Sequence, residues 1–110
     1  MQSQSARQME NHMHNKEDIL GHVYVIEDEL GRVKVGHTTR PHSRMQSIET
    51  AIGLSIARSY VTPKFKAFTE AEHRSHKLLD KYRGRGEWFN CDYELAVVIA
   101  QAYYQKLKHI

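Results

Sequence analysis

Five polar side chains in this sequence of 110 residues are of the types that together hydrolyse a phosphodiester bond. A phenol, an ammonium, an imidazole, a guanidinium and a carboxylate are supplied by Tyr24, Lys34, His37, Arg44 and Glu72. Such hydrolysis needs a deprotonated, positioned water and neutralisation of the charge that develops on the phosphoryl oxygens and the leaving group. The set contains a group for each task, provided that the secondary structure brings the five side chains together.

Residues 21–44 predict a β-hairpin that runs into a helix. Apolar and polar side chains alternate on both sides of Leu30-Gly31, which is the period of two expected of a hairpin with one buried face. With the turn at these two residues, Tyr24 lies opposite Lys34, and the two polar groups share one face of the sheet.

The first predicted helix begins at Pro41, which suits the first helical position, and ends at Gly53. Arg44 lies in its first turn, and His37 lies in the glycine-led turn that precedes it. We therefore expect Tyr24, Lys34, His37 and Arg44 to meet at one edge of the sheet.

Glu72 lies on a second predicted helix, from about Lys66 to Arg83, which Gly84 stops. The inner positions of this helix are Phe68, Ala71, Leu78, Leu79 and Tyr82. Glu72 shares their stripe, and a carboxylate there needs a partner. It is therefore expected to face the other four polar groups around one open, basic cleft.

The remaining elements complete a small α/β (α+β) fold, a three-stranded antiparallel sheet flanked by helices, over residues 21–110. Residues 54–62 predict an edge strand ended by Pro63, and Asp92 is expected to cap a last helix. The inner positions of that helix are Leu95, Val98, Ile99, Ala102 and Leu107. Residues 1–20 are too polar to order themselves and predict a flexible arm.

The hairpin and the elements after it resemble the GIY-YIG nuclease superfamily. The two motifs stand here as His22-Val23-Tyr24 and Lys34-Val35-Gly36, with a lysine in place of the second tyrosine, as in a phage- and virus-encoded branch. The resemblance continues through Pro41, Arg44, the pair Glu72 and His76, and Gly86-Glu87-Trp88-Phe89, and so covers residues 21 to about 105.

This resemblance implies a metal-dependent endonuclease that acts on DNA. Glu72 would be the single protein carboxylate on Mg²⁺ or Mn²⁺, Tyr24 the general base or water-orienting group, and Arg44 the phosphate clamp. Lys34 would keep Tyr24 more acidic or contact phosphate, and His37 would help either step. Both Asn90 and Glu87 are candidates for a further residue that supports the site.

The charge distribution agrees with a polyanionic partner. The formal net charge is +3, and from Arg58 to Arg85 eight Lys or Arg stand against three acids, so one side of the fold should be electropositive. The side chains expected to bind nucleic acid are Arg40, Lys64, Lys66, His76, Arg83 and Arg85. DNA is the expected partner, with RNA left open, and a protein partner would supply specificity to a monomer or weak homodimer.

Two other classes of function stay open, namely a nucleic-acid-binding module that no longer cleaves and a phage-encoded interaction adaptor. A lone Cys91 gives no disulfide within the chain, and the sequence contains neither a membrane span nor a secretory signal, so a cytoplasmic protein is expected. Glu72-His73-x-x-His76 is not the His-Glu-x-x-His zinc signature, which argues against a metalloprotease.

Overall fold

The computed structural model describes residues 19–110, so the predicted arm lies outside the described residues except for its last two positions. Along the chain the elements are β1 (His22–Asp28), β2 (Val33–Thr38), α1 (Pro41–Ile52), β3 (Ile56–Val61), α2 (Phe68–Leu79), a 3₁₀ turn (Asp80–Tyr82), β4 (Trp88–Phe89) and α3 (Tyr93–Leu107). Within this part of the chain, no helix has the length and apolar character needed to cross a membrane.

The four strands form one antiparallel sheet in the order β3-β1-β2-β4. The α+β class and the edge position of β3 are confirmed, but the predicted number of strands was wrong. The missed strand, β4, contains only two residues, which pair with Val33 and Lys34. Two residues are too few to show the alternation by which a strand is recognised in a sequence.

The loop of the hairpin is longer than predicted, and the pairing between its two strands is shifted by two residues. Tyr24 lies opposite Gly36, and Lys34 lies opposite Ile26, because four residues separate the strands and the carboxylate of Asp28 holds their turn. A slip of two residues preserves the face, so Tyr24 and Lys34 still lie on the same side of the sheet.

The sheet separates two apolar layers. On one side α1 covers Tyr24 and Ile26, with Ile48 as its buried residue. On the other side α2 and α3 cover the four valines of the hairpin, which are Val23, Val25, Val33 and Val35. Side chains at alternate positions of β1 and β2 therefore belong to different layers.

The bounds of α1 were predicted correctly, because Pro41 and Gly53 act locally. Gly53 adopts a positive φ of 70°, and its N–H donates to the carbonyl of Glu49. The second helix ends earlier than predicted, at Leu79, and Leu78 is exposed instead of buried.

The buried face of α3 differs in part from the prediction. Leu107 is buried as predicted, but Leu95, Val98 and Ala102 are exposed, and the other buried positions are Tyr93, Ala96 and Ala100. Two small alanines face the sheet between larger residues, so the face cannot be found by choosing the most apolar side chains. Asp92 precedes the helix, but its side chain makes no capping hydrogen bond.

Candidate functional site

The ring of Tyr24 lies directly across Gly36 of the neighbouring strand. A Cβ atom placed on Gly36 would come within 2.3 Å of the Tyr24 hydroxyl oxygen, so only glycine leaves room for the phenol. Tyr24 itself is fully buried. The pairing of the two residues, and not a turn, therefore explains why the second motif needs a glycine.

The environment of the Tyr24 hydroxyl keeps it protonated. Burial raises the pKa of Tyr24 above its usual value, and the charges of Glu87 and Glu72 act in the same direction. The Arg44 guanidinium opposes them through hydrogen bonding and its positive charge, but burial prevails. The cation that lowers the pKa of Tyr24 is Arg44, whereas Lys34, which was expected to make Tyr24 more acidic, is not among the charges that act on it.

Lys34 is held by β4 and the loop before it. Its Nζ lies 2.8 Å from Oε1 of Glu87 and 5.5 Å from the centroid of the Trp88 ring. This hydrogen bond from Lys34 lowers the pKa of Glu87, burial opposes the effect, and the positive charge of Lys34 supports it. Glu87 therefore lies beside the predicted site, whereas the backbone N–H of Asn90 donates to the carbonyl of Tyr82.

Glu72 faces two histidines from its buried position on α2. Its Oε2 lies 3.3 Å from Nδ1 of His37 and 3.7 Å from Nε2 of His76. The Nε2–H of His76 donates to the carbonyl of Val35, at 2.6 Å, and this fixes the position of that ring. The prediction that Glu72 belongs to the buried stripe of α2 is confirmed.

Side chains from both layers thus approach one another at β2. Tyr24 lies on the side of the sheet that α1 covers, and Glu72 lies on the side that α2 covers. The charge of Glu72 nevertheless raises the pKa of the Tyr24 hydroxyl. We call this group the polar cluster; its members are Tyr24, Lys34, His37, Arg44, Glu72, His76 and Glu87. The expectation that the five predicted catalytic residues face one open cleft is wrong, because Tyr24 and Glu72 start from opposite faces of the sheet and both are buried.

Residues 21–103 match the family model of the T5orf172 domain. The chain belongs to the T5orf172 domain family. The resemblance to GIY-YIG nucleases was therefore the wrong assignment, since the family that matches is a distinct one. No significant match was found among curated proteins or among solved structures.

T5orf172 domains are nuclease-like, DNA-binding domains that are often found in phages and mobile elements. In this T5orf172 domain a groove of about 450 Å³ runs along the end of α2, beside the polar cluster. Its lining residues are His73, His76, Lys77, Asp80 and Arg83. Four of these five side chains carry a positive charge or gain one on protonation, which suits a groove that binds a phosphate backbone.

The residues predicted to bind nucleic acid divide into two groups. His76 and Arg83 line the groove, whereas Arg40, Lys64, Lys66 and Arg85 are exposed outside its lining. Arg83 is held there by Asp80, at 3.0 Å, and by the carbonyl of Gly86, at 2.8 Å. Lys77 also lines the groove and was not among the predicted residues, although its spacing from His73 places it on the same helix face.

The T5orf172 domain offers a divalent cation few ligands. Among residues 19–110 no group of three or more His, Cys, Asp or Glu could hold a metal ion. Mg²⁺ usually keeps several waters and needs only one or two carboxylates in addition to phosphate oxygens. One carboxylate such as that of Glu72 is therefore enough for a loosely held Mg²⁺ ion and too little for a structural one.

Proposed function

We propose that this T5orf172 domain is a metal-dependent endonuclease that hydrolyses phosphodiester bonds of DNA. The observation that carries the proposal is the nearly buried carboxylate of Glu72 beside two groups that can attract phosphate, namely His37 and His76. A module that only binds DNA gains nothing from a carboxylate that repels the backbone, whereas a hydrolase needs one to hold a cation.

The residues of the polar cluster would divide the work according to their exposure and charge. Arg44 is exposed and would bind the phosphoryl oxygens, on which charge develops during attack. Tyr24 is protonated at neutral pH, so its hydroxyl would orient the attacking water by hydrogen bonding. Lys34 would neutralise the phosphate of the DNA after the phosphate displaces Glu87 from the Lys34 ammonium.

Glu72 would hold the Mg²⁺ or Mn²⁺ ion. When bound, such an ion supplies positive charge to the phosphoryl oxygens and makes a water more acidic. The groove beside the cluster would bind the backbone of the same DNA strand, mainly without regard to sequence, because phosphate contacts carry no sequence information. Specificity would then come from a protein partner or from another domain.

The test is Glu72→Gln, a change that keeps the shape of the side chain and removes its charge. Nicking of supercoiled DNA in saturating Mg²⁺ or Mn²⁺ should fall about 10²–10³-fold, the cost of losing a comparable charge-stabilising group. DNA affinity measured in EDTA should stay the same or increase slightly, because the variant repels phosphate less. Parallel assays with RNA decide whether cleavage is restricted to DNA.

Glu70→Gln is the matched control, since Glu70 lies on the same helix but is exposed and pairs with Arg74 at 2.7 Å. It should cleave like the wild type. If Glu72→Gln cuts DNA as fast as the wild type does, the mechanism with one carboxylate is wrong.

A DNA-binding module that does not cleave is the second candidate, and the closed state of the cluster favours it. Tyr24 is fully buried and the ammonium of Lys34 is taken by Glu87, so neither meets a phosphate without rearrangement. Such a module would bind DNA in EDTA and produce no nicks with either ion.

A further inference from the structure

One nitrogen of the polar cluster has no hydrogen-bond partner. Nδ1 of His37 is buried, and none of the described residues forms a hydrogen bond with it. Oε2 of Glu72 lies 3.3 Å away, but not in the direction that a hydrogen bond from the ring would need. A buried polar atom without a partner is costly, so this one calls for an explanation.

The separation of the two atoms suits a shared metal ion. Bonds of about 2.1 Å from one ion to a nitrogen and an oxygen, at an angle of roughly 90–110°, set those ligand atoms about 3.0–3.4 Å apart. The 3.3 Å between Nδ1 and Oε2 falls within this interval. The edge of the His37 ring also contacts Phe68, with centroids 5.6 Å apart, which limits its rotation.

His76 cannot supply a third ligand through the nitrogen nearest to Glu72. Its Nε2 carries a proton, because it donates to the carbonyl of Val35. The protein would then contribute one nitrogen and one oxygen, and water or phosphate would complete the coordination shell. This agrees with the lack of a group of three ligands in residues 19–110.

We propose that His37 binds the catalytic metal together with Glu72, and that the site therefore selects a first-row transition ion such as Mn²⁺ over Mg²⁺. Imidazole suits first-row transition ions, whereas Mg²⁺ takes oxygen ligands. Mn²⁺ binds most weakly of the transition ions and also accepts carboxylate and water, so it is a stringent probe of this preference. The inference deepens the proposed function, on which it rests for the presence of a metal at this site. The competing explanation is an ion pair between protonated His37 and Glu72.

The experiment measures metal binding to the full chain without DNA. In calorimetric titrations with MnCl₂ and MgCl₂ we expect Mn²⁺ to bind at least about tenfold more tightly. His37→Ala should lose about tenfold or more of its Mn²⁺ affinity and less than about threefold of its Mg²⁺ affinity. His109→Ala, at an exposed histidine after α3, should change neither value.

A second measurement does not depend on the stability of a variant. Pulsed electron paramagnetic resonance of Mn²⁺ bound to the wild type should show coupling to a ¹⁴N nucleus, which a metal held by oxygen alone does not show. Absence of this coupling, equal affinities for the two ions, no binding of either ion, or an unchanged Mn²⁺ affinity in folded His37→Ala would each overturn the proposal.

The two proposals fail in different ways. Binding of Mn²⁺ through His37 without any cleavage would refute the endonuclease and leave the metal site standing. Cleavage that is equally fast with both ions and unchanged in His37→Ala would refute the role of His37 and leave the endonuclease standing.

Discussion

Gly36 sets the position of the Tyr24 hydroxyl, because the phenol fills the space where any other residue has its Cβ atom. A glycine in a strand usually weakens it, and one purpose that offsets this cost is the close approach of another group. Here that group is the side chain on which the charges of Arg44, Glu72 and Glu87 act.

Gly36→Ala should therefore displace Tyr24 and destabilise the domain by about 1–3 kcal/mol, the usual cost of overpacking. Urea unfolding measures the stability, and spectrophotometric titration of tyrosine reports the change around Tyr24. Gly21→Ala is the control, since its Cβ atom would come within 2.5 Å of the Phe68 ring instead. A comparable loss of stability with an unchanged tyrosine titration is expected for Gly21→Ala; the same pattern in Gly36→Ala would contradict the role assigned to Gly36.

The residue types of the candidate site could be predicted from the sequence, but the partners of these side chains could not. Tyr24, Arg44 and Glu72 could be chosen because a phenol, a guanidinium and an inner carboxylate are unusual together. The pairing of Lys34 with Glu87 joins positions 53 residues apart and depends on a two-residue strand, for which the sequence carries no signal.

Among the elements, the hairpin loop is organised by one buried carboxylate. Asp28 accepts hydrogen bonds from the backbone N–H groups of Leu30 and Arg32 and from the Arg32 side chain. Burial alone would raise the pKa of Asp28, but these hydrogen bonds and the charge of Arg32 lower it below the usual value. This network sets the length of the loop and with it the register that brings Tyr24 onto Gly36.

Asp28 should make stability depend on pH in the acid range. Because its pKa is lower in the folded state, its contribution is complete above the unfolded value of about 3.9 and is lost as the pH falls through the folded value. Asp28→Asn should cost about 1–3 kcal/mol at pH 7 and flatten the dependence below pH 4, as measured by urea unfolding. Asp80→Asn changes an exposed carboxylate and should do neither; equal acid sensitivity of Asp28→Asn and the wild type would count against this account.

The loop before β4 places a carboxylate where a phosphate would bind. The carboxylate of Glu87 forms an ion pair with the ammonium of Lys34, although the Glu87 side chain is half exposed and the Lys34 side chain is mostly buried. The loop thus competes with the proposed substrate for the same cation.

Glu87→Gln should bind DNA more tightly in EDTA, by up to about fivefold, since a unit charge at about 4 Å in water contributes ~1 kcal/mol. Fluorescence anisotropy with a labelled duplex measures the change. Glu94→Gln removes the same charge from an exposed position on α3, outside the polar cluster, and should have a smaller effect. Weaker binding by Glu87→Gln would mean that Glu87 supports the site instead of blocking it.

The elements that could be predicted are those whose bounds are set by residues within or next to the element itself. Pro41 and Gly53 mark both ends of α1, and the alternation of the hairpin identified both of its strands. The register was missed because the side chain of Asp28 closes the turn, and most of the buried face of α3 was missed because alanines line it.

For the whole molecule, the uneven charge should govern how DNA is bound. The groove along α2 and the exposed basic side chains outside it, such as Arg85, carry positive charge that would displace counterions from a backbone. The basic bias was predictable from the sequence, whereas the groove depends on where α2 ends.

DNA affinity in EDTA should fall steeply with salt, linearly when both are plotted as logarithms. Lys77→Gln, in the groove, should reduce that slope by about one and weaken binding to different sequences equally. Lys106→Gln, on the last turn of α3, serves as the control. An affinity that is flat between low and high salt would exclude backbone binding as the main interaction.

The two edges of the described sheet resist the addition of another strand. The register between β1 and β3 shifts at Glu27, and Arg58 of the outer strand turns inward to Glu27 and to the Tyr93 ring. At the other edge β4 is short, and His76 already occupies the carbonyl of Val35 on the uncovered part of β2. Free rows of backbone groups are what strand-to-strand polymers need. A concentrated solution of this protein should therefore form no fibrils through the edges of its sheet.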